Sequence, residues 1–107
     1  MNVLLTGGSR GLGLKTIKKF ISNGWDVYNI SRTKPKYEHE RLYNLSFDLS
    51  NIEEIKVKVF KSFLTNDIPI HAVVHNAAIA YDDLVTNAKF PNLEKMYRVN
   101  VLSPIMM

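Results

Sequence analysis

The chain has 107 residues, 46% of them hydrophobic and 22% charged, enough for one domain with a real core, residues 1–107. It has no cysteine, which excludes disulfides and thiolate metal sites and fits a cytoplasmic protein. No apolar run approaches the ~18 residues of a membrane span, and the N-terminus enters a strand pattern directly, so no secretory leader is expected.

Asn2 to Leu5 reads as a short, wholly apolar strand of the kind covered by helices on both faces. The stretch Thr6-Gly-Gly-Ser-Arg-Gly-Leu-Gly13 follows, poor in side chains and ready to bring backbone N–H groups close to a ligand. Gly11 to Asn23 carries Leu12, Leu14, Ile17, Phe20 and Ile21 at helical spacing, and Asn23-Gly24 stops that helix. Its positive dipole end points back at the glycine turn, which makes a phosphate cradle. Trp25 to Ile30 is a second strand, completing a βαβ unit with a right-handed crossover.

Thr33 to Arg41 is polar and contains Pro35, so a solvent-facing loop is expected. Leu42 to Phe47 is a third strand, followed by a turn in which Ser50 or Asn51 caps a helix from Ile52 to about Asn66. The core stripe of that helix is Ile52, Ile55, Val59, Phe60 and Phe63. His71 to His75 is a fourth strand ending in Asn76-Ala77-Ala78. After a loop or short helical turns from Tyr81 to Pro91, Asn92 opens a last helix that stops or kinks near Ser103-Pro104. This order predicts an α/β fold: an open parallel sheet of four strands in spatial order 3-2-1-4, helices on both faces, and the glycine turn at the topological switch point.

Two nucleotide motifs fail on spacing. Gly-x-Gly-x-x-Gly would need glycine where Thr16 stands. In a P-loop reading from Gly8 to Gly13, Leu14 intervenes before Lys15-Thr16, and one residue is about 100° of helix rotation. Thr-Gly-x-x-x-Gly-x-Gly does fit, at Thr6, Gly7, Gly11 and Gly13. With Asp48-Leu49 after the third strand, His75-Asn76-Ala77-Ala78 after the fourth and Asn100 on the last helix, the chain resembles the short-chain dehydrogenase/reductase family along its whole length. His75 and Ala78 depart from that family's Asn-Asn-Ala-Gly.

The resemblance implies a Rossmann-type doubly wound sheet, incomplete relative to the family, and an oxidoreductase that moves hydride between a nicotinamide and a small carbonyl or alcohol substrate. Gly7 allows the tight turn, Gly11 the approach of the pyrophosphate, and Gly13 close helix-to-strand packing. Leu12 lies near the cofactor through its backbone, and Ser9 donates to phosphate or ribose or caps the helix. Where NAD sites carry an acid at the end of the second strand, this chain has Ser31-Arg32. Arg10 approaches from the glycine turn, so NADP(H) is expected over NAD(H). Asp48 and Leu49 are matched to adenine, with a turn role as the alternative for Asp48, and Asn76, Ala77 and Ala78 to the wall beside adenosine and ribose. Asn100, expected to be buried, matches the family's proton-relay asparagine.

The family's catalytic Ser and Tyr-x-x-x-Lys do not occur here: Tyr28, Tyr37, Tyr43, Tyr81 and Tyr97 all lack a Lys four residues on. The alternative is a non-catalytic dinucleotide-binding or interaction protein. The net charge of +4 suits an anionic ligand, but the lysines are scattered and no nucleic-acid partner is expected. The histidines show no metal-ligand spacing. If the chain stopped here, a bare fourth-strand edge and apolar residues on the last helix would predict aggregation or obligate pairing, and a homo-oligomer, dimer or tetramer, is expected.

Overall fold

A computed structural model describes residues 1–65, 67–77 and 90–106. Strand β1 (Asn2–Thr6) leads through the glycine turn into helix α1 (Gly11–Ser22), then β2 (Asp26–Ser31) and β3 (Leu42–Ser46). A 3-10 turn (Ile52–Glu54) and a π-wound helix (Lys56–Phe63) precede β4 (Ala72–His75). The chain then runs through α2 (Phe90–Tyr97), a π-wound stretch (Arg98–Leu102) and α3 (Ser103–Met106).

All pairings are parallel and the sheet order is β3-β2-β1-β4, as the strand pattern predicts. Register places Thr6 beside Ile30 and His75, and Ser31 beside Ser46. The ends of β1, β2 and β4 therefore meet on one side of the sheet. The strand boundaries lie within about one residue of the sequence reading, because each apolar run ends at a polar residue or turn.

Strand β1 feeds two cores because its side chains alternate between faces. Val3 and Leu5 pack with Ile17 and Ile21 of α1 and with Val27 and Leu42. Leu4 points the other way, into a cluster with Ile30, Phe47, Leu49, Ile55, Val59 and Leu64. The Phe20 and Trp25 rings meet edge to face across the end of α1, with centroids 5.1 Å apart. The Arg41 guanidinium donates to the Gly24 carbonyl (2.6 Å) and fixes the start of β3 against the same turn.

Two helical expectations are corrected. The helix expected over 52–66 is a 3-10 turn followed by a π-wound helix ending at Phe63. Its buried residues explain the wider winding: Ile55 and Val59 are four apart, but Val59 and buried Leu64 are five apart, and Leu64 N–H donates back to Val59 O at 2.6 Å. Asn51 stands at the cap position without a side-chain cap bond. The last helix does not stop at Ser103-Pro104; helical conformation continues through both. Proline lacks the N–H that an α-turn requires, and the π-wound stretch just before it absorbs the mismatch.

Candidate functional site

The glycine turn is built by its neighbours. The Thr6 hydroxyl oxygen accepts the N–H groups of Asn76 (3.1 Å) and Ala77 (3.0 Å), while Asn76 Nδ2 donates to the Gly7 carbonyl (3.0 Å). Gly7 N–H donates to Ile30 O at 2.9 Å. The turn is thus bound to both strands that flank β1. Gly7 has φ +75°, and an added Cβ would sit 2.8 Å from Ala77 Cα. At Gly13 an added Cβ would land on the Gly7 carbonyl oxygen and 2.6 Å from Asn76 Nδ2. These two positions require glycine for different reasons: one for conformation and space, the other for space alone.

No side chain caps α1, whose N-cap residue is Arg10. Its first-turn N–H groups and positive dipole end are offered to whatever fills the adjoining cleft. That cleft measures about 930 Å³, within the usual range for a ligand site. Gly7, Ser9, Arg10 and Gly11 line it from the turn, Ile30 and Ser31 from β2 with Arg32 just past it, Asp48 and Leu49 from the turn after β3, and Asn76 and Ala77 from the segment after β4. Phe47, Leu49, Leu14, Ile30 and Val99 supply its apolar lining. Among its described lining residues, Arg10, Arg32, Lys34 and Lys36 against the one carboxylate of Asp48 make it cationic.

Asp48 Oδ1 accepts the Ser50 N–H at 2.9 Å, so its turn role is present together with its place on the cleft. Burial pushes its carboxyl up, but the Ser50 backbone and side-chain hydrogen bonds and the charges of Lys95 and Arg32 outweigh that and hold it below the ordinary carboxylate value. The carboxylate is ionised at neutral pH and oriented as an acceptor.

Arg98 anchors the final helical run to this turn. Its guanidinium donates to Glu53 (3.1 Å), Glu94 (3.3 Å) and the Ser50 carbonyl (3.4 Å). Hydrogen bonds to Glu53 and then Glu94 raise the Arg98 pKa, favouring the protonated state already expected of a guanidinium. Val99, next in sequence, is buried and completes the cleft wall.

Several sequence expectations shift in position. Leu12 is 73% exposed and lines a separate, smaller groove on the outside of α1 with Phe20 and Trp25. Gly13 is buried under the turn and supports the cleft without lining it. Ser9 lines the cleft but is not the helix cap. Asn100 is exposed, contrary to the expected buried position: Val99 and Ser103 occupy the buried side of that stretch, and Asn100 comes one residue further round. Ala78 and nearly all of the expected loop from Tyr81 to Pro91 lie outside the described residues.

The sequence reading missed Lys34, Lys36, Phe47 and Val99 on the cleft, and Asn29 and Arg98 behind it. Lys34 and Lys36 looked like loop charges, but Pro35 between them is buried and pins that loop. Lys18 over the Tyr37 ring, 5.2 Å from its centroid, ties the loop to α1. Asn29 had a visible signal, a polar residue inside an apolar strand.

The sequence profile described as short chain dehydrogenase matches residues 1–107. The chain belongs to the short-chain dehydrogenase family. Similar curated relatives are benzil reductase ((S)-benzoin forming) of Bacillus subtilis strain 168, 27% identical over 97% of this chain and 44% of that protein, and 3-oxoacyl-(acyl-carrier-protein) reductase FabG of Chlamydia pneumoniae, 33% identical over 94% of this chain and 44% of that protein. This family member therefore spans less than half the length of those relatives. Among solved structures, ElxO with NADP bound superposes with a TM-score of 0.82 at 26% identity, covering 98% of this chain and 46% of that one. A 4-hydroxyisoleucine dehydrogenase mutant complexed with NADH and succinate gives 0.90 at 20% identity, over 99% of this chain and 45% of that one; at that identity the likeness speaks for the Rossmann fold alone.

Proposed function

We propose that this chain is the cofactor-holding part of an NADP(H)-dependent oxidoreductase acting on a small carbonyl or alcohol. The observation that carries the reading is the cleft's charge: Arg10, Arg32, Lys34 and Lys36 line it, with no acid at the end of β2. A guanidinium binds a phosphate dianion with paired hydrogen bonds, whereas the acid of an NAD site would repel it. The residues present fit a dinucleotide. Gly7, Gly11 and the uncapped start of α1 would hold the pyrophosphate, with Ser9 beside it. Ser31 and Arg32 would take the 2′-phosphate side, Asp48 and Leu49 the adenine, and Asn76 and Ala77 the adenosine wall. A nicotinamide, when bound, supplies the hydride chemistry. This chain contributes the binding, the orientation and the apolar shielding by Phe47 and Val99.

The acid–base pair of such a reaction is not among the five tyrosines here, none of which has a Lys four residues later. A second reading is a dinucleotide-binding protein without catalysis. The two separate on whether the full-length protein turns over NADPH with a carbonyl substrate. The proposed setting is cytoplasmic, with a homo-oligomer, dimer or tetramer, as the working assembly; no described helix is long and apolar enough to cross a membrane. Arg32→Asp tests the cofactor reading. It should weaken NADPH binding by about 10- to 100-fold, the loss of a charged hydrogen-bond pair, while NADH binding falls far less. Equal losses for both cofactors would refute it.

A further inference from the structure

Asn29 is fully buried in the middle of β2, where an amide is costly and poorly suited to a strand. Its Oδ1 accepts the Gly8 N–H at 3.0 Å, and its Nδ2 donates to Ser31 Oγ (3.0 Å) and Asn44 Oδ1 (3.1 Å). Ser31 Oγ passes its own proton to the Thr33 carbonyl at 2.7 Å. The direction of each bond is forced. Gly8 N–H can only donate, the Ser31 proton is already committed to Thr33, and Asn44 Oδ1 can only accept. A side chain of this length with an acceptor on one prong and two N–H donors on the other is asparagine. Contact is tight on the Gly8 side as well, since a Cβ there would strike Asn29 Oδ1.

This network joins two parts of the cleft that are far apart in sequence. One end holds the glycine turn at Gly8; the other holds the Ser31–Thr33 segment from which Arg32 projects. We infer that Asn29 is a positioning residue that sets the Arg32 segment in register with the glycine turn, so that selection of the 2′-phosphate depends on a buried amide that does not line the cleft. The inference rests on the cofactor reading above.

The test is fluorescence titration of the full-length protein with NADPH and with NADH. The variants are Ser31→Ala, Asn29→Asp, the two combined, and Ser31→Thr. Asn29→Asp keeps the acceptor for Gly8 and removes both donors; Ser31→Ala removes the acceptor for Asn29 Nδ2 and the donor to Thr33, leaves the Asn29 bonds to Gly8 and Asn44, and serves should the aspartate variant not fold. Each single change breaks two bonds of the network and should lower the ratio of NADPH to NADH affinity about fivefold or more, one hydrogen bond alone being worth about that. The double variant should be no worse than either single, as expected of one network, and Ser31→Thr, which keeps the hydroxyl, should restore the ratio. A ratio that stays at the wild-type value while both affinities fall together, or single effects that multiply in the double variant, would overturn the inference. A wild-type protein with no preference for NADPH would refute the cofactor reading itself. Hydrogen exchange of the ligand-free protein then decides the coupling: faster exchange over residues 32–34 in Asn29→Asp supports it, and unchanged exchange there overturns it.

Discussion

Replacing Gly13 by alanine sets two effects of opposite sign against each other. Gly13 lies in the first turn of α1, and in a helix interior alanine is better than glycine by about 0.8–1 kcal/mol. On propensity alone the variant would be more stable. The added methyl, however, would fall on the Gly7 carbonyl oxygen and 2.6 Å from Asn76 Nδ2. Neither neighbour is a flexible chain end: the carbonyl is fixed by the turn, and the amide is hydrogen-bonded to it at 3.0 Å. Overpacking of this kind costs roughly 1–3 kcal/mol, and displacing the Asn76 amide removes a hydrogen bond worth about 0.5–1.5 kcal/mol. After the propensity gain is subtracted, Gly13→Ala should destabilise by about 0.5–3.5 kcal/mol. The assay is urea denaturation, in which the midpoint falls while the slope is unchanged. Because the Gly7 carbonyl moves with the turn, dinucleotide binding should weaken as well. A variant as stable as the wild type or more so would refute the claim that α1 and the glycine turn are in contact at this point.

Other outcomes follow from the same geometry. Asp48 has a lowered carboxyl pKa, so its contribution to stability is complete above its unfolded value, near 3.8, and disappears as pH falls through the folded value. Asp48→Asn should therefore be less stable than wild type at neutral pH, with the two acid-unfolding curves converging below about pH 4. Arg98→Met should leave the sheet intact but free the final helical run from the Ser50–Glu53 turn, seen as faster amide exchange across residues 94–102 than in wild type; unchanged exchange would remove Arg98 from that role. Neutralising Lys34 and Lys36 to Gln should weaken NADPH binding by a few-fold at low salt and by less at high salt, since exposed charges are screened. A salt-independent loss would argue for a direct contact instead.

The sheet order and the main line of the cleft were readable from the sequence because they depend on local signals. Short apolar runs such as Val3-Leu4-Leu5, bounded at once by glycines, read as a strand buried on both faces, and the spacing from Thr6 to Gly13 admits few backbone paths. The details that escaped depend on tertiary partners. The π winding of residues 56–63 arises from Leu64 reaching the core of Ile55 and Val59, and helical periodicity alone cannot foretell it. Asn100 was expected to be buried because its neighbours are apolar, but the winding turns Val99 and Ser103 inward instead. Lys34 and Lys36 are exposed, as the loop reading expects, but buried Pro35 holds their loop beside the cleft, which no local signal shows. Asn29, a polar residue in an apolar strand, was passed over, and its partners Gly8, Ser31 and Asn44 come together only in the folded sheet.

The central claim is that the cleft beside the glycine turn takes a 2′-phosphorylated dinucleotide. Its most direct test is the pair of dissociation constants for NADPH and NADH, measured on the wild-type protein in one buffer at one ionic strength. Paired Arg10 and Arg32 predict binding of NADPH tighter by about tenfold or more. Equal affinities, or tighter binding of NADH, would contradict the account.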